Sequence, residues 1–365
     1  MARDSLFGER IVWQGRCRGV NVPFVNKVMS AVGAVASAVT LCYAVVVAKS
    51  LAAPIGGMIL LAGWCATVAL GSWRIPLWWR SQVEYLVTEG HVIWRRGPIR
   101  RSIDIGQISY SLVRWNANEP SFGDLVIVRA VPTGALRRTL TLTLHDVEAP
   151  DRLWAIIRGV EQSAPLGSSD RPLAQRLDPG ERVLWSGSPL ASAWTTRRAA
   201  MAFSGAALAV SFVRLLAKSV PSLARVLQLH ALPPALAAIL VGGASLGMAL
   251  LLTVSAGVAY AALVRPTRLA RATRYFVTNS RVLIRRGHEE LSLDRSRIAY
   301  VIDAPWKKLH DVFLVLDGPQ ARALAPSGAF GGDDRDDALR PVFAAIADAD
   351  TVGEILRGRA LEKAA

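Results

Sequence analysis

The chain has five histidines, three cysteines and one acidic cluster, and none is spaced to do chemistry. His288-Glu289-Glu290 lacks the second histidine that a zinc-protease helix requires. Leu-His-Asp-Val occurs at 144–147 and 309–312, but at non-equivalent places in the repeat described below, so coincidence is the simpler account. Cys42 and Cys65 lie in apolar runs and Cys17 stands alone, without a Cys-x-x-Cys partner or a neighbouring histidine. Asp333, Asp334, Asp336 and Asp337 lack the alternating ligands of a calcium loop. They read as a solvated loop leading into a helix N-terminus, where acidic groups suit the dipole. With no phosphate-cradling glycine loop and no Gly-x-Ser-x-Gly elbow, the sequence points to no enzyme, no metal and no cofactor.

The arginines are the candidate site. Arg95, Arg96, Arg100 and Arg101 cluster in the first half of the chain, and Arg281, Arg285 and Arg286 in the second. On strands that closely follow a membrane span they could meet anionic lipid headgroups, at about 1 kcal/mol per residue near such a surface. Charge on a strand edge also keeps that edge from pairing with other chains. The sequence favours neither reading over the other.

The 365 residues are 52% hydrophobic and only 19% charged, with mean hydropathy +0.31. The apolar residues gather in long uncharged runs, a membrane-protein signature. The formal charge of +15 lies largely beside those runs. That argues for topology and membrane surface, and against nucleic acid. The first residues, Met1-Ala2-Arg3-Asp4-Ser5, lead into charged sequence, so no cleavable signal peptide is expected.

The chain repeats itself. Gly8-Glu9-Arg10-Ile11-Val12-Trp13-Gln14-Gly15 returns as Gly180-Glu181-Arg182-Val183-Leu184-Trp185-Ser186-Gly187. Tyr85-Leu86-Val87-Thr88 returns as Tyr275-Phe276-Val277-Thr278, and Val92 to Gly97 as Val282 to Gly287. Ser102, Asp104 and Ile108 continue the register as Ser292, Asp294 and Ile298. The first block recurs after 172 positions and the second after 190, so copy two carries 18 more residues between its blocks.

Between the blocks lie the apolar runs. Val28 to Ala48 and Leu51 to Trp73 are uncharged, each about the ~20 residues a helix needs to span hydrocarbon, with a turn at Lys49, Ser50 and Pro54. Trp73, Trp78 and Trp79 with Arg74 and Arg80 form an interfacial belt. In copy two, Ala235 to Val264 is a longer run, and its Gly243-Ala244-Ser245-Leu246-Gly247 fits either close helix approach or simple lipid-facing glycine. Ala199 to Val213 is short, so a span from about Trp194 to Lys218 must place Arg214 near the far interface, where it can snorkel. The rival reading makes Arg214 part of an ion path. Pro221 to Leu232 then reads as a short amphipathic helix on the far surface. Basic residues dominate the outer ends of both hairpins, which predicts termini and β domains in the cytoplasm.

After each hairpin the period changes to that of strands. Copy one predicts strands at Val83 to Val87, Val92 to Trp94, Ser102 to Ile105, Ile108 to Val113, Leu125 to Val131 and Thr139 to Leu144. Pro132-Thr133-Gly134 is a turn and Ala149 to Val160 a helix. Copy two predicts strands at Tyr275 to Thr278, Val282 to Arg285, Ile298 to Ile302 and Val312 to Leu316, with a helix from Asp337 to Ala347. After Ile302 its pattern fades into a glycine and aspartate loop over 328–337.

Gly-Glu-Arg-x-x-Trp, two spans, then Tyr-x-Val-Thr and Arg-Arg-Gly resemble the bacterial pleckstrin-homology-like, membrane-flanked domain proteins, once per copy over most of the chain. The resemblance implies a small barrel closed by a helix. The expected fold is an α+β membrane protein with two transmembrane hairpins, each followed by such a domain. Its parts are 1–27 as N-terminal segment, 28–73 as hairpin 1, 81–165 as domain 1, 166–193 as linker and repeat start, 194–264 as hairpin 2, and 271–365 as domain 2. The expected function is a non-enzymatic, multi-pass protein of the bacterial inner membrane, its domains binding anionic lipid headgroups or a membrane or cytoplasmic protein partner. The alternative is a transporter or channel component.

Overall fold

Among the described residues, four helices are long and apolar enough to cross a membrane. The structure is a computed structural model and describes residues 9–18, 22–51, 54–131, 138–160, 176–190, 196–229, 234–306, 309–316 and 339–362. In chain order, strand β1 (Ile11–Arg16) precedes helices α1 (Phe24–Leu51) and α2 (Gly56–Ser81). Strands β2 (Glu84–Thr88), β3 (His91–Arg96), β4 (Ile99–Asp104), β5 (Tyr110–Trp115), β6 (Phe122–Val131) and β7 (Arg138–Glu148) follow, then helix α3 (Pro150–Ile157). Copy two opens with β8 (Val183–Gly187) and helices α4 (Thr196–Leu229) and α5 (Pro234–Ala259). A π-helical stretch, Tyr260–Val264, leads from α5 into α6 (Arg265–Ala272). Last come β9 (Thr273–Thr278), β10 (Arg281–Arg286), β11 (Glu289–Asp294), β12 (Tyr300–Trp306), β13 (Leu309–Val315), β14 (Val342–Ile346) and helix α7 (Ala349–Glu362).

Two bodies result. Residues 21–78 and 194–266 make a helical body, and the remainder a β body. Within the helical body, small residues set the close approaches. A Cβ on Gly33 would stand 3.0 Å from the Cys65 carbonyl oxygen and 3.1 Å from Ala69 Cβ. The Ser37 hydroxyl donates to Ala62 O at 2.9 Å. In the second hairpin Gly205 faces Ala259, and Ser255 donates to Gly205 O at 3.2 Å. Gly243 and Gly247 face open space, so the closest approaches run through Gly33 and Gly205. Pro221 does not start a separate surface helix: α4 runs through it to Leu229. The ladder absorbs the missing amide there, and Ser222 returns its hydroxyl to Lys218 O at 2.7 Å.

Within the β body the strands among the described residues are all antiparallel and form three sheets. The order β1-β2-β3-β4 makes the first, β7-β6-β5-β11-β10-β9-β8 the second, and β12-β13-β14 the third. The second sheet crosses the repeat boundary. Leu291 of β11 sits opposite Leu112 of β5, with Glu289 opposite Arg114 and Ser292 opposite Ser111. The two copies are thus joined by strand pairing.

Alternation on β5 and β6 supplies both cores. Val113, Trp115, Leu125 and Ile127 point into the copy-one core with Tyr85, Val92, Leu144 and Leu153. Leu112, Val126 and Val128 point the other way, into the copy-two core with Leu291, Val312, Phe343 and Val352. A strand buried on both faces needs no polar face.

One predicted helix is a strand. Val342–Ile346 pairs with β13, and the helix begins at Ala349 instead. Alanines gave the segment helical propensity, but Phe343 and Ile346 become fully buried by pairing, and tertiary burial overrides a weak local preference. The turn at 132–134 and the acidic cluster at 333–337 lie outside the described residues.

Candidate functional site

The β3–β4 hairpin turns at Gly97, which takes the left-handed φ of +54° that favours glycine. Its register sets Arg95 opposite Arg100, Arg96 opposite Ile99 and Trp94 opposite Arg101. Arg95, Arg100 and Arg101 are exposed and Arg96 is half-buried. The Arg96 guanidinium lies 4.0 Å from the centroid of Trp79, near the end of α2, and Arg101 lies 5.9 Å from that of Trp94. Ile99 stands 46% exposed beside the turn. Four cations and an apolar tip therefore share one short hairpin, and aromatic faces hold two of the guanidinium groups.

The copy-two arginines are used differently. Arg281, 4% exposed, donates from Nε and Nη2 to the Glu181 carboxylate at 2.9–3.1 Å and from Nη2 to Arg176 O at 2.7 Å. It cannot reach a headgroup. Arg286 pairs with Glu289 at 2.7 Å, and Arg285 is half-buried with Glu290 opposite it in the ladder. The seven arginines therefore do not make two equal basic surfaces. For Arg285 and Arg286 the difference traces to β11, which begins Glu289-Glu290 where β4 begins Ile99-Arg100; Arg281 stands where copy one has His91. Arg214 is exposed on α4.

Sequence reasoning missed why the repeated blocks recur. The glutamate of the first block bonds the threonine of the second: Thr88 Oγ1 donates to Glu9 at 2.5 Å, and Thr278 Oγ1 to Glu181 at 2.6 Å. The bonds from Thr88 and the nearby His91 hold the Glu9 carboxyl below its ordinary pKa. Burial alone would raise the Glu181 pKa, but the bonds from Arg281 and Thr278 outweigh it and keep the group ionised. The Trp-x-Gly ending is steric, because a Cβ on Gly15 or Gly187 would collide with the indole of Trp13 or Trp185. The tyrosines bond the last strand before the closing helix. His145 N donates to Tyr85 Oη at 2.8 Å and Ala344 N to Tyr275 Oη at 3.1 Å. Both phenols are raised by burial, Tyr275 to about 12. These ties were legible only as repeated letters.

The joint between copies is polar where it meets α3. Arg176 pairs with Glu290 at 2.5 Å, Arg158 with Asp178 at 2.8 Å, and Arg114 with Glu289 at 3.1 Å. A cavity of about 20 Å³ there is lined by Trp115, Asp151, Trp154, Arg158 and Ser292, among others. That is room for one water. Burial raises the Asp151 carboxyl above its usual range. No cluster of three metal-ligating side chains occurs among the described residues. Comparison with known proteins finds no family model and no curated sequence that match the chain.

Proposed function

We propose that this is a non-enzymatic, multi-pass protein of the bacterial cytoplasmic membrane, with two pleckstrin-homology-like domains on the cytoplasmic side. Its copy-one β3–β4 hairpin binds anionic lipid headgroups. The repeated pattern of four strands, three strands and a helix, with an apolar interior in each copy, supports the barrel reading. The observation that carries the function is the hairpin itself, where Arg95, Arg96, Arg100 and Arg101 surround an exposed Ile99. Cations beside an apolar tip suit a surface with anionic groups over hydrocarbon. The transport reading has no such support, since Arg214 is exposed.

The test uses the whole chain in micelles, because β1 and β5 tie each domain to distant parts of the sequence. Short-chain phosphatidylglycerol should bind, weaken as salt rises, and outcompete phosphatidylcholine. Replacing the four arginines with glutamine should abolish the preference. If that variant keeps it, headgroup recognition fails and a protein partner becomes the better reading.

A further inference from the structure

The β5–β11 joint forms once, although the repeat supplies its parts twice. β4 stands 190 positions before β11, and β12 stands 190 positions after β5. Among the described residues β4 ends the first sheet and β12 ends the third. Placing β4 of a second copy beside β12 in the register of the existing joint sets Arg100 opposite Asp303 and Arg101 opposite Ile302. Strand addition to open edges is the ordinary route to assembly between chains. In this chain two positions argue against it.

The first is Leu291, which sits opposite Leu112 in the joint with no exposed surface. Its counterpart on β4 is Arg101. Pairing would set that cation against Ile302, at the position where Leu291 meets Leu112 in the existing joint, and an unpaired charge there is expensive. The second is Trp115, whose N–H donates to His288 O at 2.9 Å and extends the joint. Its counterpart on β12 is Pro305, which has no N–H to give. Each half of the second joint thus carries a block that the corresponding half of the first lacks. Outside these two positions the edges set no like charges opposite one another, with Arg100 facing Asp303, whose carboxylate lies 2.8 Å from His310 Nδ1 within the chain.

We infer that the β5–β11 joint is a docking surface whose natural partner is the other half of the same repeat, and that Arg101 and Pro305 reserve it to the two halves of one chain. Without them, β4 of one copy docks on β12 of the next, and copies add head to tail. An open-ended contact of that kind builds filaments rather than closed pairs. The inference does not depend on lipid binding.

The whole chain in micelles tests it by light scattering of the eluting protein across a tenfold concentration range. The wild type should keep one mass. Arg101→Leu with Pro305→Val should raise the mass two-fold or more with concentration, and adding Ile302→Lys should restore the wild-type value. A folded double variant with wild-type mass overturns the inference, as does a wild type whose concentration-dependent mass is lost with Ile302→Lys alone. Should the double variant not fold, Arg100→Cys and Asp303→Cys are placed in a chain with Cys42 and Cys65 changed to alanine. With Arg101→Leu and Pro305→Ala together the pair should yield a ladder of disulfide-linked multimers, absent when Arg101 and Pro305 are kept. Equal ladders, or none in either, overturn it.

Discussion

Thr88 donates its hydroxyl to Glu9 at 2.5 Å across 79 positions of sequence, and the whole first helical pair lies between them in the chain. Thr278 and Glu181 repeat the bond at 2.6 Å across 97. Each copy therefore begins with a strand that joins its sheet only after two apolar helices have intervened. The pairing of β1 with β2, and of β8 with β9, ties the start of each repeat to its β domain.

Copy two depends more on this tie than copy one. Glu181 is 9% exposed and is the partner of buried Arg281. Glu181→Ala leaves that guanidinium without its carboxylate and should cost about 3–5 kcal/mol, the usual price of a broken buried pair. Denaturant unfolding followed by the Trp185 signal measures it. Adding Arg281→Met should recover most of the loss. Glu9→Ala should do less damage, since its partner His91 is only half-buried.

Acid should act on the same pair. The folded Glu181 carboxyl is held below its unfolded value of about 4.3. Its stabilisation is therefore complete above that value and is lost as pH falls through the folded one. Arg281→Met removes what holds that pKa down, so the variant should be less stable than the wild type at pH 7 and lose less of its stability on acidification. Asp151 has the opposite sign, since burial raises its carboxyl and ionisation costs stability as pH rises. Asp151→Asn should therefore stabilise the chain at pH 7 and change little at pH 3. A Tm series on both variants reads the two slopes.

The tyrosines make a third prediction. Tyr85→Phe and Tyr275→Phe each remove the acceptor of a strand amide, His145 N or Ala344 N, in a buried setting. Each should cost about 1–3 kcal/mol, the penalty of a donor left unpaired. Amide exchange at His145 and Ala344 should quicken in the matching variant alone. Uniform quickening across both domains would show that the bond is not local.

The apolar runs and the alternating strands were readable because burial imposes periodicity on one chain segment at a time. Both hairpins and most copy-one strands could be read that way. The joint could not, because no local pattern says that Leu112 and Leu291 meet across the repeat. Strand β14 was hidden by its alanines. The basic hairpin was legible as charge, but Arg281 looked like Arg95 until its buried partner Glu181, 100 positions away, was placed beside it.

The last prediction separates two kinds of glycine in the helical body. Sequence spacing singled out Gly243 and Gly247, yet a side chain there meets nothing within 4 Å. Gly33 instead faces the Cys65 carbonyl and Ala69, with Ser37 bonded to Ala62 O about one turn further along. Gly33→Val must push α1 from α2 and stretch the Ser37 bond, because the obstructing atoms are backbone and the Ala69 Cβ, none of which can swing aside. Its Tm in micelles should drop by several degrees, on the order of what 1–3 kcal/mol of overpacking produces. Gly247→Val should leave Tm unchanged or raise it slightly, since valine in a helix exposes less backbone freedom than glycine. A larger loss from Gly247→Val than from Gly33→Val would mean that the 243–247 face is covered by another helix in the micelle, and would restore the spacing motif to a packing role.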